Sequence, residues 1–112
     1  MPVKLEVETP SNGIAVVKIN GRLDATTVGD AEKILLPLAE DATLNRIIMD
    51  GANLEYVASA GLRIILKAVK VMAPRKAKLF AAAMPESVLA VLKMTGFNSF
   101  VELRATVADC LT

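Results

Sequence analysis

The spacing of apolar residues along the chain switches between the period of a strand and the period of a helix. Val3, Leu5 and Val7 alternate with Lys4, Glu6 and Glu8, which predicts a strand with one buried face. Pro10-Ser11-Asn12-Gly13 is dense in turn residues, and Ile14 to Asn20 (IAVVKIN) predicts a second strand. The opening is therefore a β-hairpin. A helical stretch begins near Val28, with Thr27 and Asp30 spaced as a capping box in which Asp replaces Glu. Pro37 predicts a kink or stop near Leu36, because proline removes a backbone donor and crowds the preceding turn.

The second half repeats the alternation. Arg46-Ile47-Ile48-Met49-Asp50 reads as a buried strand, followed by an irregular connection through residues 51–58. A long helix opens at Ser59-Ala60-Gly61, where Ser59 is placed to cap the first turn with its hydroxyl. Pro74-Arg75-Lys76 makes a basic turn, and Lys78 to Ala83 reads as another buried strand. Pro85-Glu86-Ser87 opens a third helix with Gly96 as its C-terminal cap. Phe100 to Leu103 predicts a last strand and Val107 to Leu111 a short closing helix. The order ββαβαβα with a βα tail predicts one α/β domain over residues 1–112, a mixed, mostly parallel sheet with packed helices.

The central helix carries two apolar arcs. Leu62, Ile65, Leu66, Val69 and Met72 fill the first, and Arg63, Lys67 and Lys70 form a basic stripe beside it. Ile64, Ala68 and Val71 form the second, beyond the stripe. A helix with one buried face does not need that second arc, so Ile64 and Val71 are expected on a partner surface bordered by Arg63 and Lys67.

Composition narrows the function. Hydrophobic residues make up 54% of the chain, which excludes a disordered segment. Thirteen basic against twelve acidic residues lack the basic excess of a nucleic-acid binder. No apolar run is long enough for a membrane span, and the amino-terminal residues lack a signal-peptide core. With Cys110 the single cysteine, no internal disulfide forms, and a cytoplasmic location is expected.

Enzyme chemistry finds few footholds. Without histidine the commonest general base and metal ligand are missing, so neither metal nor cofactor is expected. No glycine-rich phosphate loop precedes a helix. Val57 stands where a nucleophile elbow needs glycine, and Leu62 where a serine–lysine pair needs lysine. Asp24 and Asp50, both near strand ends, leave a small carboxylate-dependent enzyme as the alternative of a different class. The expected class is a binding protein.

Two stretches together carry a resemblance. Gly21-x-Leu23-Asp24-Ala25-x-Thr27 after a strand, and Ser59-Ala60-Gly61-Leu62-Arg63 opening a helix, resemble the STAS domain of bacterial anti-sigma factor antagonists. The resemblance runs over essentially the whole chain. It implies that Ser59 is the phosphoacceptor of a serine kinase that is itself an anti-sigma factor, and that a PP2C-type phosphatase reverses the modification. It implies that Asp24 is the acidic residue facing the kinase. Thr26, Ala58, Ala60, Gly61, Arg63, Ile64 and Lys67 complete the expected partner surface. Relatives often carry Asp or Ser before the acceptor and Ser or Ala after it; here Ala58 and Ala60 flank it, leaving one hydroxyl. STAS domains also serve in stressosomes and lipid-transport machines, the same-fold alternative without a phosphoswitch. A free-standing chain is expected not to be the fused transporter type, and to be a monomer or weak dimer alone.

Overall fold

Strand pairing begins at the expected hairpin: β1 (Lys4–Ser11) runs antiparallel to β2 (Ile14–Leu23) around Asn12-Gly13. The computed structural model describes residues 3–112. Four parallel pairings extend the sheet through β3 (Arg46–Asp50), β4 (Leu54–Val57), β5 (Lys78–Ala82) and β6 (Glu102–Arg104). The strand order is β1-β2-β3-β5-β6, with β4 beside the end of β2. Ile14–Lys18 pairs with β3, and Gly21–Leu23 pairs with β4. Gly21, at φ 110°, sits at the register shift that lets β2 change partner.

Alternation along the strands divides the core. Ala15, Val17, Ile47, Met49, Leu79 and Ala81 point to the face covered by α1 (Val28–Glu40), α2 (Ser59–Met72) and α3 (Glu86–Met94). Ile14, Val16, Ile48, Phe80 and Ala82 point to the other face, where the tail covers them with Val107 and Cys110. Arg46 clamps that tail, its Nη1 donating to the carbonyls of Cys110 (2.9 Å) and Thr112 (3.2 Å).

The α/β class and mixed sheet agree with the sequence reading, but several details differ. The connection after β3 contains β4, missed because Leu54-Glu55-Tyr56-Val57 is buried only at its two ends and does not alternate. Helix α1 runs through Pro37 to Glu40. Proline takes away the bond to the Lys33 carbonyl, but both residues are exposed, so the loss falls on the solvent side of the helix and not in the core. Thr27 forms no capping box; its hydroxyl donates to the Arg22 carbonyl (2.6 Å) and accepts from the Asp24 N–H (3.0 Å). Strand β1 is an exposed edge rather than half buried, with charged side chains guarding its outer backbone. The last strand shifts to Glu102–Arg104, and the closing helix is a single 3-10 turn at Ala108–Cys110. Gly96, at φ 79°, ends α3 as expected.

The largest correction concerns Ile64. Its side chain is only 4% exposed, and with Gly61, Ile65, Ala68 and Met72 it forms the buried face of α2. Val71 is half buried against the same core. Helix α1 lies alongside α2 and covers the arc expected for a partner, leaving Leu62, Leu66 and Val69 half buried on the flank. Ile64→Ser should therefore cost about 3–5 kcal/mol in urea denaturation, from lost burial and a stranded hydroxyl. A loss below about 1 kcal/mol, ordinary for a surface position, would contradict this packing.

Candidate functional site

The site grows from the place where two βα units meet. The Ala58 N–H donates to the Leu23 carbonyl at 2.8 Å, extending the parallel register in which Leu23 faces Val57. Asp24 and Ser59 each lie one residue beyond that bond. Gly61 allows the approach: a Cβ there would stand 2.9 Å from Leu23 Cβ and 3.1 Å from Leu23 O. The start of α2 thus rests directly on the end of β2.

Asp24 shapes its own turn. Its Oδ1 accepts from the Thr26 N–H (2.9 Å) and the Thr26 hydroxyl (2.6 Å), while Oδ2 faces Arg22 Nε at 3.7 Å. The Asp24 carbonyl accepts from the N–H groups of Thr27 and Val28, starting α1. The Thr26 hydroxyl, followed by the Thr26 N–H, holds the Asp24 carboxyl below its ordinary pKa. Asp41-Ala42-Thr43 repeats this Asp-Ala-Thr turn with the same 2.9 and 2.6 Å bonds and the same downward shift. The turn is local chemistry. What distinguishes Asp24 is its place beside α2.

Ser59 is exposed, and it is the first residue of α2 rather than its cap. Ala58 occupies the cap position in extended conformation, without a side-chain cap bond. Ala58 and Ala60 are half buried and Gly61 is buried, so Gly61 acts as a spacer in the fold and offers little surface. One turn on, Arg63 is exposed, and Lys67 Nζ pairs with Glu32 Oε2 of α1 at 2.7 Å. An open groove of about 390 Å³ runs between α1 and α2 here, bordered by Val28, Ala60, Arg63, Leu66 and Lys70. The structure thus gathers Asp24, Thr26, Ala58, Ser59, Ala60, Arg63 and Lys67 at one end of the domain, while Ile64 lines the groove as a buried residue and offers almost no exposed surface.

Three neighbours were not singled out in the sequence. The Arg22 guanidinium lies over the Tyr56 ring, 4.7 Å from its centroid, and Glu32 anchors Lys67. Arg22 is the next-to-last residue of β2 and Asp24 follows the strand's end, so their pairing depended on the turn rather than on strand alternation; Tyr56 depended on recognising β4. Asp50, the other carboxylate considered, accepts from the Ala52 N–H at 3.1 Å and serves its own turn. Among the described residues no group of three His, Cys, Asp or Glu could hold a metal, and no helix is long and apolar enough to cross a membrane.

The STAS domain family model matches residues 5–110, and the chain belongs to that family. An anti-sigma-B factor antagonist of Staphylococcus aureus (strain NCTC 8325 / PS 47) is 24% identical over 102 residues, 90% of this chain and 94% of the relative. An anti-sigma factor antagonist from Mycobacterium paratuberculosis superposes with a TM-score of 0.86 at 21% identity, covering 97% of this chain and 91% of that one. The antagonist SpoIIAA has been solved in two forms. The unphosphorylated form superposes with a TM-score of 0.81 at 16% identity over 96% of this chain and 93% of its own. The phosphorylated form gives 0.76 at 15% identity over 96% of both. At these identities the structural likeness is one of fold.

Two measurements test this geometry. Gly61→Ala should lower stability by about 1–3 kcal/mol through overpacking against Leu23, despite alanine's higher helix propensity. Asp24→Asn tests the charge. A carboxyl with a lowered folded pKa contributes stability that is present above its unfolded pKa, ordinarily 3.8, and lost as pH falls through the folded value. The variant should be slightly less stable than the parent at pH 7 and converge with it as pH falls below about 4, giving a shallower acid limb. An unchanged acid limb would mean that the Asp24 charge is not held by its turn.

Proposed function

We propose that the chain is an anti-sigma factor antagonist: a binding protein that sequesters a serine kinase, itself an anti-sigma factor, and is switched off by phosphorylation of Ser59. A PP2C-type phosphatase restores the binding form. The protein acts in the cytoplasm by occupying its partner, with no catalysis of its own and no contact with nucleic acid. The observation that carries this reading is the exposed Ser59 hydroxyl at the start of α2, one residue past the bond that joins α2 to the Asp24 turn. The Staphylococcus aureus relative and the two phosphorylation forms of SpoIIAA support it.

The physics suits a switch at an interface. A phosphate adds about −1.5 to −2 charges, and the first turn of a helix accepts an anion well. Ser59 makes no cap that modification would break. The fold therefore survives the change. A partner packed against the small neutral surface of Ala58, Ser59 and Ala60 does not, because it would bury an unpaired charge. Asp24, with Oδ2 free of the turn, presents a carboxylate to a cationic group of the kinase, and Thr26 holds it in place.

Incubation with a purified anti-sigma factor kinase from the same genome and ATP should add one phosphate by intact-mass analysis, absent in Ser59→Ala. Ser59→Ala should still bind the kinase. Phosphate on Ser87, Ser99 or a threonine would overturn the assignment to Ser59. Asp24→Asn should weaken kinase binding while its melting temperature at neutral pH stays near the parent's; normal binding would assign Asp24 to the turn alone.

A further inference from the structure

The basic residues around Ser59 are not equivalent. Arg22 faces Asp24 and stacks on Tyr56, and Lys67 is held by Glu32. Arg63 is exposed and has no ion pair among the described residues. It stands four positions after Ser59 on the continuous helix α2. Side chains at that spacing are neighbours on the same face, with Cβ atoms about 5–6 Å apart. A phosphoserine is longer than a serine and presents three acceptor oxygens, and a guanidinium offers the planar fork that suits them.

We propose that Arg63 receives the phosphate of Ser59, forming an ion pair within α2; the proposal rests on the reading of Ser59 as the modified residue. Arg63 also lines the groove between α1 and α2. Phosphorylation then changes two things together: it adds an anion at the start of α2 and draws a cation away from the groove beside it. A partner that used Arg63 while Ser59 was free loses that contact as it meets the new charge. Lys70 lines the same groove but lies eleven positions from Ser59, out of reach of its phosphate.

The test installs phosphoserine at position 59 during translation, so that it needs no kinase. Failure of the kinase assay then overturns the reading of Ser59, whereas failure here overturns only the pairing. Phosphorus NMR follows the second ionisation of the phosphate, near 6 in a free phosphoserine. The other charged groups around it, Arg22 and Asp24 at the end of β2, Glu55 on β4, Glu32 on α1 and Lys67, are the same in parent and variants. Arg63→Gln should raise the ionisation by about half a unit or more relative to the parent, and Arg63→Lys by less. The difference should shrink in 1 M salt, as for an exposed pair. Lys70→Gln removes the same charge and should leave the titration nearly unchanged. Superimposable curves for the parent and Arg63→Gln, or an equal shift in Lys70→Gln, would overturn the proposal.

Discussion

The bond from the Ala58 N–H to the Leu23 carbonyl is the constraint on which the functional end of this domain depends. It is short in sequence terms on both sides: α1 starts a few residues after Leu23, and α2 starts immediately after Ala58. Two helices that begin on different strands are thereby brought into one frame. Gly61 keeps the frame tight, since any side chain there would meet Leu23. Exposed groups on both units, Asp24 and Thr26 on one and Ser59 and Arg63 on the other, inherit fixed relative positions from a contact that is itself backbone and apolar packing. Precision at the surface is in this way a property of the layer beneath it.

The repeated Asp-Ala-Thr turn separates motif from placement. At Asp24 and Asp41 the same three residues make the same hydrogen bonds and lower the carboxyl pKa for the same reason. The turn after Asp41 leads to β3 at the opposite end of the sheet, where Arg75 caps carbonyls of Asp41 and Leu44. Only the turn after β2 lies beside the first residues of α2. Local sequence sets the conformation of each turn, and topology decides which one shares a surface with an exposed serine.

Much of this architecture was legible because it is written in short-range periods. The β2, β3 and β5 strands are apolar runs bounded by turn residues, and α2 opens at Ser59 as its pattern predicts. What escaped was decided by tertiary neighbours. Ile64 belongs to an arc that periodicity alone assigns to neither interior nor surface; the arrival of α1 buries it. The four residues of β4 exist as a strand because β2 bends at Gly21 and offers them an edge. Ser59 lost its expected capping role to a shift of one residue, since Ala58 already has the extended conformation of a cap and its N–H is committed to Leu23. Of the candidate site, the residue types and their two stretches were visible, whereas the partners of Arg22 and Lys67 were not, because they lie on other elements.

The tail clamped by Arg46 has a consequence for thiol chemistry. Cys110, buried against Ile14, Ile48 and Phe80, has its thiol pKa pushed above the ordinary 9.0, chiefly by loss of solvation. A thiol kept neutral and out of water reacts slowly with oxidants and alkylating agents. It also cannot reach a second chain to cross-link copies while the tail is seated. Its reactivity becomes a clock for the tail: each labelling event marks an opening of the last residues from the back of the sheet, reported without disturbing the helical face that carries Ser59.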